Sequence, residues 1–219
     1  MNPKVSIILT THGEAPYLKQ AIGSVLAQTF EDWECIVAKD GIFKCDFHIG
    51  DALDCDRRFR TFEYPEVPSV PCRFAWTINR AVLRESRGEY LTYLCHDDLY
   101  LPWRLGFMYQ ALTIGRNYDV VFGKQQLLCE DEDKVTWLQA VREGSEDQPA
   151  GSVDHSSVMH RRECFEQAGG WDENAPPRYG DAYFWNRLQQ AGYKFHCIPE
   201  VLDAHRFNPH SISWKEDHP

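Results

Sequence analysis

The sequence predicts an α/β fold, a Rossmann-like and mostly parallel sheet flanked by helices. Three observations carry that expectation. Strand-like apolar runs alternate with segments of helical periodicity through the first half of the chain, the signature of βαβ units with right-handed crossovers. Three of those runs stop in polar clusters, Thr10-Thr11-His12, Asp40-Gly41 and His96-Asp97-Asp98. Strands of one parallel sheet have their carboxyl ends on one edge, where open α/β sheets bind ligands, so these clusters should converge. Finally, 219 residues, 43% of them hydrophobic, are enough for one sizeable core.

The elements follow in order. "KVSIILTT" (4–11) is rich in β-branched residues and reads as a buried strand. Pro16 suits a first helical turn, and Leu18, Ala21, Ile22, Val25 and Leu26 then form one apolar helix face. "WECIVAKDG" (33–41) is a second strand and "FRTFEY" (59–64) a short third, followed by a Pro-rich loop. Phe74, Ile78, Ala81 and Val82 restore helical spacing, which Arg87-Gly88 closes. A strand over 89–95 runs into the Asp pair, and Pro102 opens a helix reaching to about Gly115. "YDVVFG" (118–123) reads as a strand, and the charged, turn-rich stretch after it as a hairpin or loop, its acidic run a solvated face. Residues 181–198 give a last amphipathic helix stopped by Gly192, then a strand; the segment from His205 onward reads as loop or tail.

Composition excludes several classes. A net charge of −10 disfavours nucleic-acid and anionic-membrane partners. The sequence contains no 18-residue apolar run, so no transmembrane segment is expected, and the short apolar stretch at 5–9 lacks the cleavage site of a signal peptide. The eight cysteines form no CxxC pair, and Cys35, Cys95 and Cys197 lie in strand-like runs, so reduced thiols in a cytoplasmic protein are expected.

Adjacent carboxylates at a strand end have two readings. Asp97-Asp98 could form a solvated turn or helix cap, or hold a divalent cation through oxygen ligands. Convergence of three polar strand ends favours the cation. Asp181 could be a helix cap or a general base, and Asp154 and His155 either ordinary loop polars or groups orienting an acceptor. Core packing is the expected use of most of Trp76, Trp103, Trp171 and Trp185.

"PKVSIILTTHGEAPYLKQAIGSVLAQTFEDWECIVAKDG" followed by "INRAVLRESRGEYLTYLCHDDLYLP" is similar to the nucleotide-binding half of family 2 inverting glycosyltransferases with the GT-A fold. "VDHSSVMHRR", "GGWDE" and "GDAYFWNRL" resemble the acceptor half of the same enzymes, within which the spore-coat polysaccharide type is the nearest likeness. The resemblance implies one GT-A domain over 1–219, with a nucleotide-binding half to about 98 and an acceptor half from about 99. It implies a nucleoside diphosphate sugar donor, UDP- or dTDP-linked, and a carbohydrate or lipid-linked acceptor. It also implies Mn²⁺ or Mg²⁺ as cofactor.

Residue by residue, it places Thr10, Thr11, His12, Asp40, Arg73, His96 and Asp97 at the nucleotide, with Asp40 on the pyrimidine ring. Asp97 falls at the last Asp of the family's DXD motif as direct metal ligand, with Asp98 beside it and His205, Asn208 or His210 completing the site. Asp181 matches the catalytic base. This sequence departs from the family at Lys39, at Cys95 or His96 where the first Asp of DXD belongs, at Gly180 and at Asn208. A nucleotidyltransferase would want a Gly-rich basic loop that "TTHGEAPY" lacks; the other rival is a non-catalytic nucleotide-sugar-binding protein or subunit of a polysaccharide assembly.

Overall fold

The structure, a computed structural model, describes residues 2–44, 56–65, 67, 69–114, 117–131 and 134–207. Its strands are β1 (Val5–Glu14), β2 (Trp33–Lys44), β3 (Phe59–Tyr64), β4 (Tyr90–Cys95), β5 (Leu99–Tyr100), β6 (Val120–Asp131), β7 (Lys134–Arg142), β8 (Val158–Arg161) and β9 (Phe195–Phe207). Its helices are α1 (Leu18–Leu26), α2 (Arg73–Arg84), α3 (Arg104–Thr113), α4 (Pro149–Ser152), α5 (Arg162–Gln167) and α6 (Gly180–Gln190).

All nine strands join one sheet, in the order β3-β2-β1-β4-β8-β6-β9-β5, with β7 paired to β6. Parallel pairing links β1 to β2 and β4, β2 to β3, and β6 to β9, while β8 is antiparallel to both β4 and β6. Six strands therefore point one way, and β5, β7 and β8 run against them. The mostly parallel α/β sheet expected from the alternation is present.

Period-two alternation along β1 explains how the sheet acquires two buried faces. Val5, Ile7 and Leu9 join α1 and α3 in one core through Leu18, Val25, Leu105 and Met108. Ile8 faces the other way, onto α2 and α6, through Ile78, Val82, Phe184 and Trp185. Trp171 and Trp185 are core residues as expected, whereas Trp103 is exposed.

The hairpin alternative holds after residue 123, and other elements differ from the sequence reading. The stretch after 123 is the β6–β7 hairpin, and β6 runs on well past Gly123. Four-residue β8 was hidden in the segment 153–162, too short for its alternation to register. His205, Arg206 and Phe207 lie in β9 rather than in a tail, because β9 is held along β6 as far as Cys129. Asn208 and His210 lie outside the described residues.

Candidate active site

The carboxyl ends of β1, β2 and β4 lie side by side, since Thr10 is in register with Ala38 and Cys95, and His12 with Asp40. β8 runs the opposite way, so the chain entering it, Asp154-His155-Ser156, reaches the same edge. β9 brings His205 there too, because Leu99 pairs with Ala204 just after the Asp pair. The sheet directions alone thus gather most of the candidate residues.

In the last third of β2, Asp40 Oδ1 accepts a hydrogen bond from Arg73 Nε at 3.1 Å and a second from the same guanidinium. Arg73 opens α2 and crosses over Gly41, whose φ of +69° is left-handed; a Cβ there would stand 2.9 Å from Arg73 Nη2. The left-handed φ favours glycine here, while the close approach falls on the flexible end of Arg73. Lys39 turns away to pair with Glu63 at 2.8 Å. On β1, Thr10 Oγ1 lies 4.0 Å from Cys95 Sγ, Thr11 is fully buried, and His12 sits exposed with its ring edge-on to His96. Burial, with His12 alongside, lowers the His96 pKa to about 4.

The two adjacent carboxylates have different surroundings. Asp98 is buried; it accepts the Arg206 N–H at 3.1 Å, and His205 Nδ1 lies 3.2 Å away. Burial works against its charge, but His205, Ser156 and the Arg206 amide outweigh that and hold the carboxyl at about 2. Burial likewise opposes the His205 charge, and Asp98 raises that imidazole to about 9. Asp97 is half-buried, and its backbone carbonyl accepts from Arg206 Nε at 2.9 Å. Donor atoms of Cys95, Asp97 and Asp98 lie within 4.8 Å of one another, as do those of Asp98, Asp154 and His205. Asp98 is shared by both groups, whereas Asp97 and His205 fall in different ones.

A third group within the same limit is Asp154, His155 and Asp181. His155 Nδ1 stands 3.8 Å from Asp154 Oδ1 and 3.9 Å from Asp181 Oδ2, while its Nε2 lies 3.1 Å from Cys95 Sγ. Burial opposes the charged ring, but Cys95, Asp154 and Asp181 together raise its pKa well above the usual value. The Cys95 thiol is pushed up to about 11 by burial, with His155 pulling the other way. Asp181 is not the cap of α6: the capping position is Tyr179, and Asp181 sits in the first turn with Oδ1 on the Ala182 amide at 2.8 Å. Asp154 does cap, accepting from Ser156 N at 2.8 Å at the head of a short 3₁₀ turn.

Three residues of the site escaped sequence reading. Ser156 accepts the Cys95 N–H through its hydroxyl at 3.3 Å. Arg206 ties Asp97 and Asp98 to Gln20 and lies over the Tyr17 ring. Buried Arg104 donates to the Ser156 carbonyl at 2.7 Å from below. An Arg beside a candidate ligand was the only signal for Arg206; nothing local marked the other two.

Residues 6–42 match the Glycosyl transferase family 2. Over 97% of its length the chain is 34% identical to Protein CgeD of Bacillus subtilis, and covers 52% of that protein. Among solved structures, TarS 1–349 of S. aureus in complex with UDP aligns over 94% of this chain and 61% of its own, with TM-score 0.65 and 14% identity. The mannosyltransferase PcManGT of Pyrobaculum calidifontis, in complex with GDP-Man and Mn²⁺, aligns over 98% of this chain and 60% of its own, with TM-score 0.66 and 15% identity. The chain therefore spans about half the length of that curated relative, and the structural likeness speaks for the fold. The chain thus carries the family 2 glycosyltransferase motif on a GT-A fold.

Proposed function

We propose that the chain transfers a sugar from a UDP- or dTDP-linked donor to a carbohydrate or lipid-linked acceptor, with inversion at the anomeric carbon. The observation that carries this is the arrangement at the sheet edge. Asp40 of β2 pairs with Arg73 at the start of α2, the Asp97-Asp98 pair follows β4, and Asp181 lies beyond His155 on the acceptor half. The solved neighbours in complex with UDP and with GDP-Man support a nucleotide-sugar donor as a class.

Each residue then has a task. Asp40 accepts the N3–H of a pyrimidine ring while Arg73 holds its carboxylate in place. Asp98, grouped with Asp97 on one side and with Asp154 and His205 on the other, would offer the oxygen-rich donor set that suits Mn²⁺ or Mg²⁺. Such an ion, when bound, neutralises the charge developing on the leaving diphosphate. Asp181 takes the proton of the acceptor hydroxyl as its oxygen bonds to C1 from the face opposite the departing phosphate oxygen. His155 stands beside it, with Nδ1 3.9 Å from Asp181 Oδ2. Asp154, anchored by its cap, and His155 line the acceptor side.

The deciding experiment measures release of UDP from UDP-sugars in the presence of Mn²⁺, with and without candidate acceptor glycans. Metal-dependent turnover supports transfer; nucleotide binding without any turnover supports a second reading, a non-catalytic nucleotide-sugar-binding subunit. That second reading is favoured by Cys95 and His96, a protonated thiol and a neutral imidazole at the two positions where the first Asp of DXD could fall.

A further inference from the structure

We infer that Trp171 is a positioning residue for the transfer reaction: its indole, wedged between α2 and α6, sets Asp181 against the donor side of the crevice. The inference rests on the transfer reading, in which Asp181 is the base. Trp171 is only 2% exposed, so it acts on the reaction through its neighbours rather than by touching a substrate.

Two clamps hold the residue. The Asn79 side chain, on α2, accepts the Trp171 N–H through Oδ1 at 2.8 Å and donates from Nδ2 to the Trp171 carbonyl at 2.9 Å. One side-chain amide thereby satisfies both backbone groups of the residue and ties it to α2. The same Nδ2 donates to Glu173 Oε1 at 2.9 Å, and the Cys72 N–H, just ahead of α2, donates to the Glu173 carbonyl at 3.0 Å. The second clamp is on the ring. Indole Nε1 donates to Tyr93 Oη at 3.2 Å, and Tyr93 Oη donates onward to His160 Nε2 at 2.7 Å. A buried polar chain whose members are all satisfied specifies one arrangement of the groups it joins.

The ring so held meets both sides of the crevice. Toward the donor it lies edge-on to Phe74, with centroids 5.5 Å apart, and Phe74 directly follows Arg73, which holds Asp40. Toward the acceptor it stacks on Phe184 at 5.0 Å, on the turn of α6 that follows Asp181. A Cβ on Gly180, the residue before Asp181, would stand 3.9 Å from Trp171 Cε3. His155 is edge-on to both Phe74 and Trp171, at 4.6 and 6.3 Å. Interiors are packed closely enough that a change of ring volume here shifts its neighbours. In-line transfer is sensitive to such shifts, since about 1 Å of misplacement can cost about 10²-fold in rate.

The test compares turnover, donor binding and local exchange in the full chain. Trp171→Phe keeps an aromatic ring but removes the Nε1 donor and shortens the reach to Phe74. It should lower kcat by about 10–100-fold, while the Kd of UDP in Mn²⁺ changes by less than about twofold. In an Asp181→Asn background the same change should cost less than about twofold, because residues that act as a unit do not add. Tyr93→Phe removes a single oxygen from the clamp and should show the same pattern at smaller size, so the assignment stays testable if Trp171→Phe does not fold. Melting temperatures establish which variants are folded. Hydrogen exchange needs no substrate: the Phe184 and Trp185 amides of α6 should exchange about tenfold faster in Trp171→Phe, and those of β1 as in the native chain. Equal losses of turnover and UDP binding, strictly additive losses with Asp181→Asn, or unchanged exchange at Phe184 and Trp185 overturns the assignment. A native chain that binds UDP but turns over no donor with any acceptor sinks the transfer reading instead, and the exchange result then decides alone whether Trp171 places Asp181.

Discussion

Asp40 of β2 and Arg73 at the start of α2, thirty-three positions apart, are locked together, with Arg73 Nε donating to Asp40 Oδ1 at 3.1 Å. The pair fixes which way the carboxylate points and leaves it able to take a ring N–H from a pyrimidine. Pyrimidine diphosphates should therefore stabilise the protein in a thermal-shift panel, and a ligand at a hundredfold its Kd should add about 2.7 kcal/mol. GDP raising the melting temperature more than UDP or dTDP would remove Asp40 from this role. Arg73→Lys should weaken UDP binding, since lysine cannot offer the two-pronged donor that orients the carboxylate.

The two halves of the crevice should separate by mutation. Asp181→Asn should lower turnover by about 10²–10⁴-fold, the usual contribution of a positioned general base, and leave Mn²⁺-dependent UDP binding intact. Asp97→Asn should weaken UDP binding in Mn²⁺ but change little in EDTA. With a net charge of −10, the protein itself should bind UDP poorly once metal is removed. Equal UDP affinity with Mn²⁺ and with EDTA would show that Asp97 is not a working ligand.

His160 should make stability depend on acid. It is fully buried; Tyr93 Oη donates to its Nε2 at 2.7 Å, and its Nδ1 lies 2.8 Å from the Arg161 carbonyl, which only accepts. The ring is therefore neutral with its proton on Nδ1, and burial lowers its pKa to about 4 from the usual 6.5. Between those values the unfolded chain binds a proton that the folded one refuses. The stability this histidine confers is present above about 6.5 and lost as pH falls toward 4, on the order of 3 kcal/mol in all. Denaturant unfolding at several pH values should show this slope, and His160→Gln should flatten it.

Arg104 should be the most costly charge to remove. It lies fully buried, donating to Thr92 at 2.9 Å and to the Ser156 carbonyl at 2.7 Å, with Asp203 3.4 Å away and the Tyr100 ring against its face. Burial raises the Asp203 pKa to about 7 even with Arg104 pulling it down. Arg104→Met leaves that carboxylate without its counter-charge and should destabilise by about 3–5 kcal/mol. Adding Asp203→Asn should recover part of the loss; strictly additive costs in the double-mutant cycle would show that the two are not coupled.

The sequence by itself determined the local elements and the chemistry carried at their ends. The apolar period of Leu18, Ala21, Ile22 and Val25 marks α1, and the β-branched run after Lys4 marks β1; in both, propensity and burial act in the same direction. The motifs carried the family, and the parallel alternation was enough to foresee that Thr10, Asp40 and Asp97 would share an edge. Tertiary structure decided the C-terminal side of the crevice. Antiparallel β8, four residues long, has no period to read, yet its direction carries His155 to Cys95. Pairing of β9 with β5 selects His205 as the partner of Asp98, and capping uses Asp154 while leaving Asp181 turned to His155. Those choices depend on register between segments far apart in the chain. Such register is set by which faces bury together, a property of the assembled sheet that no local window of sequence contains.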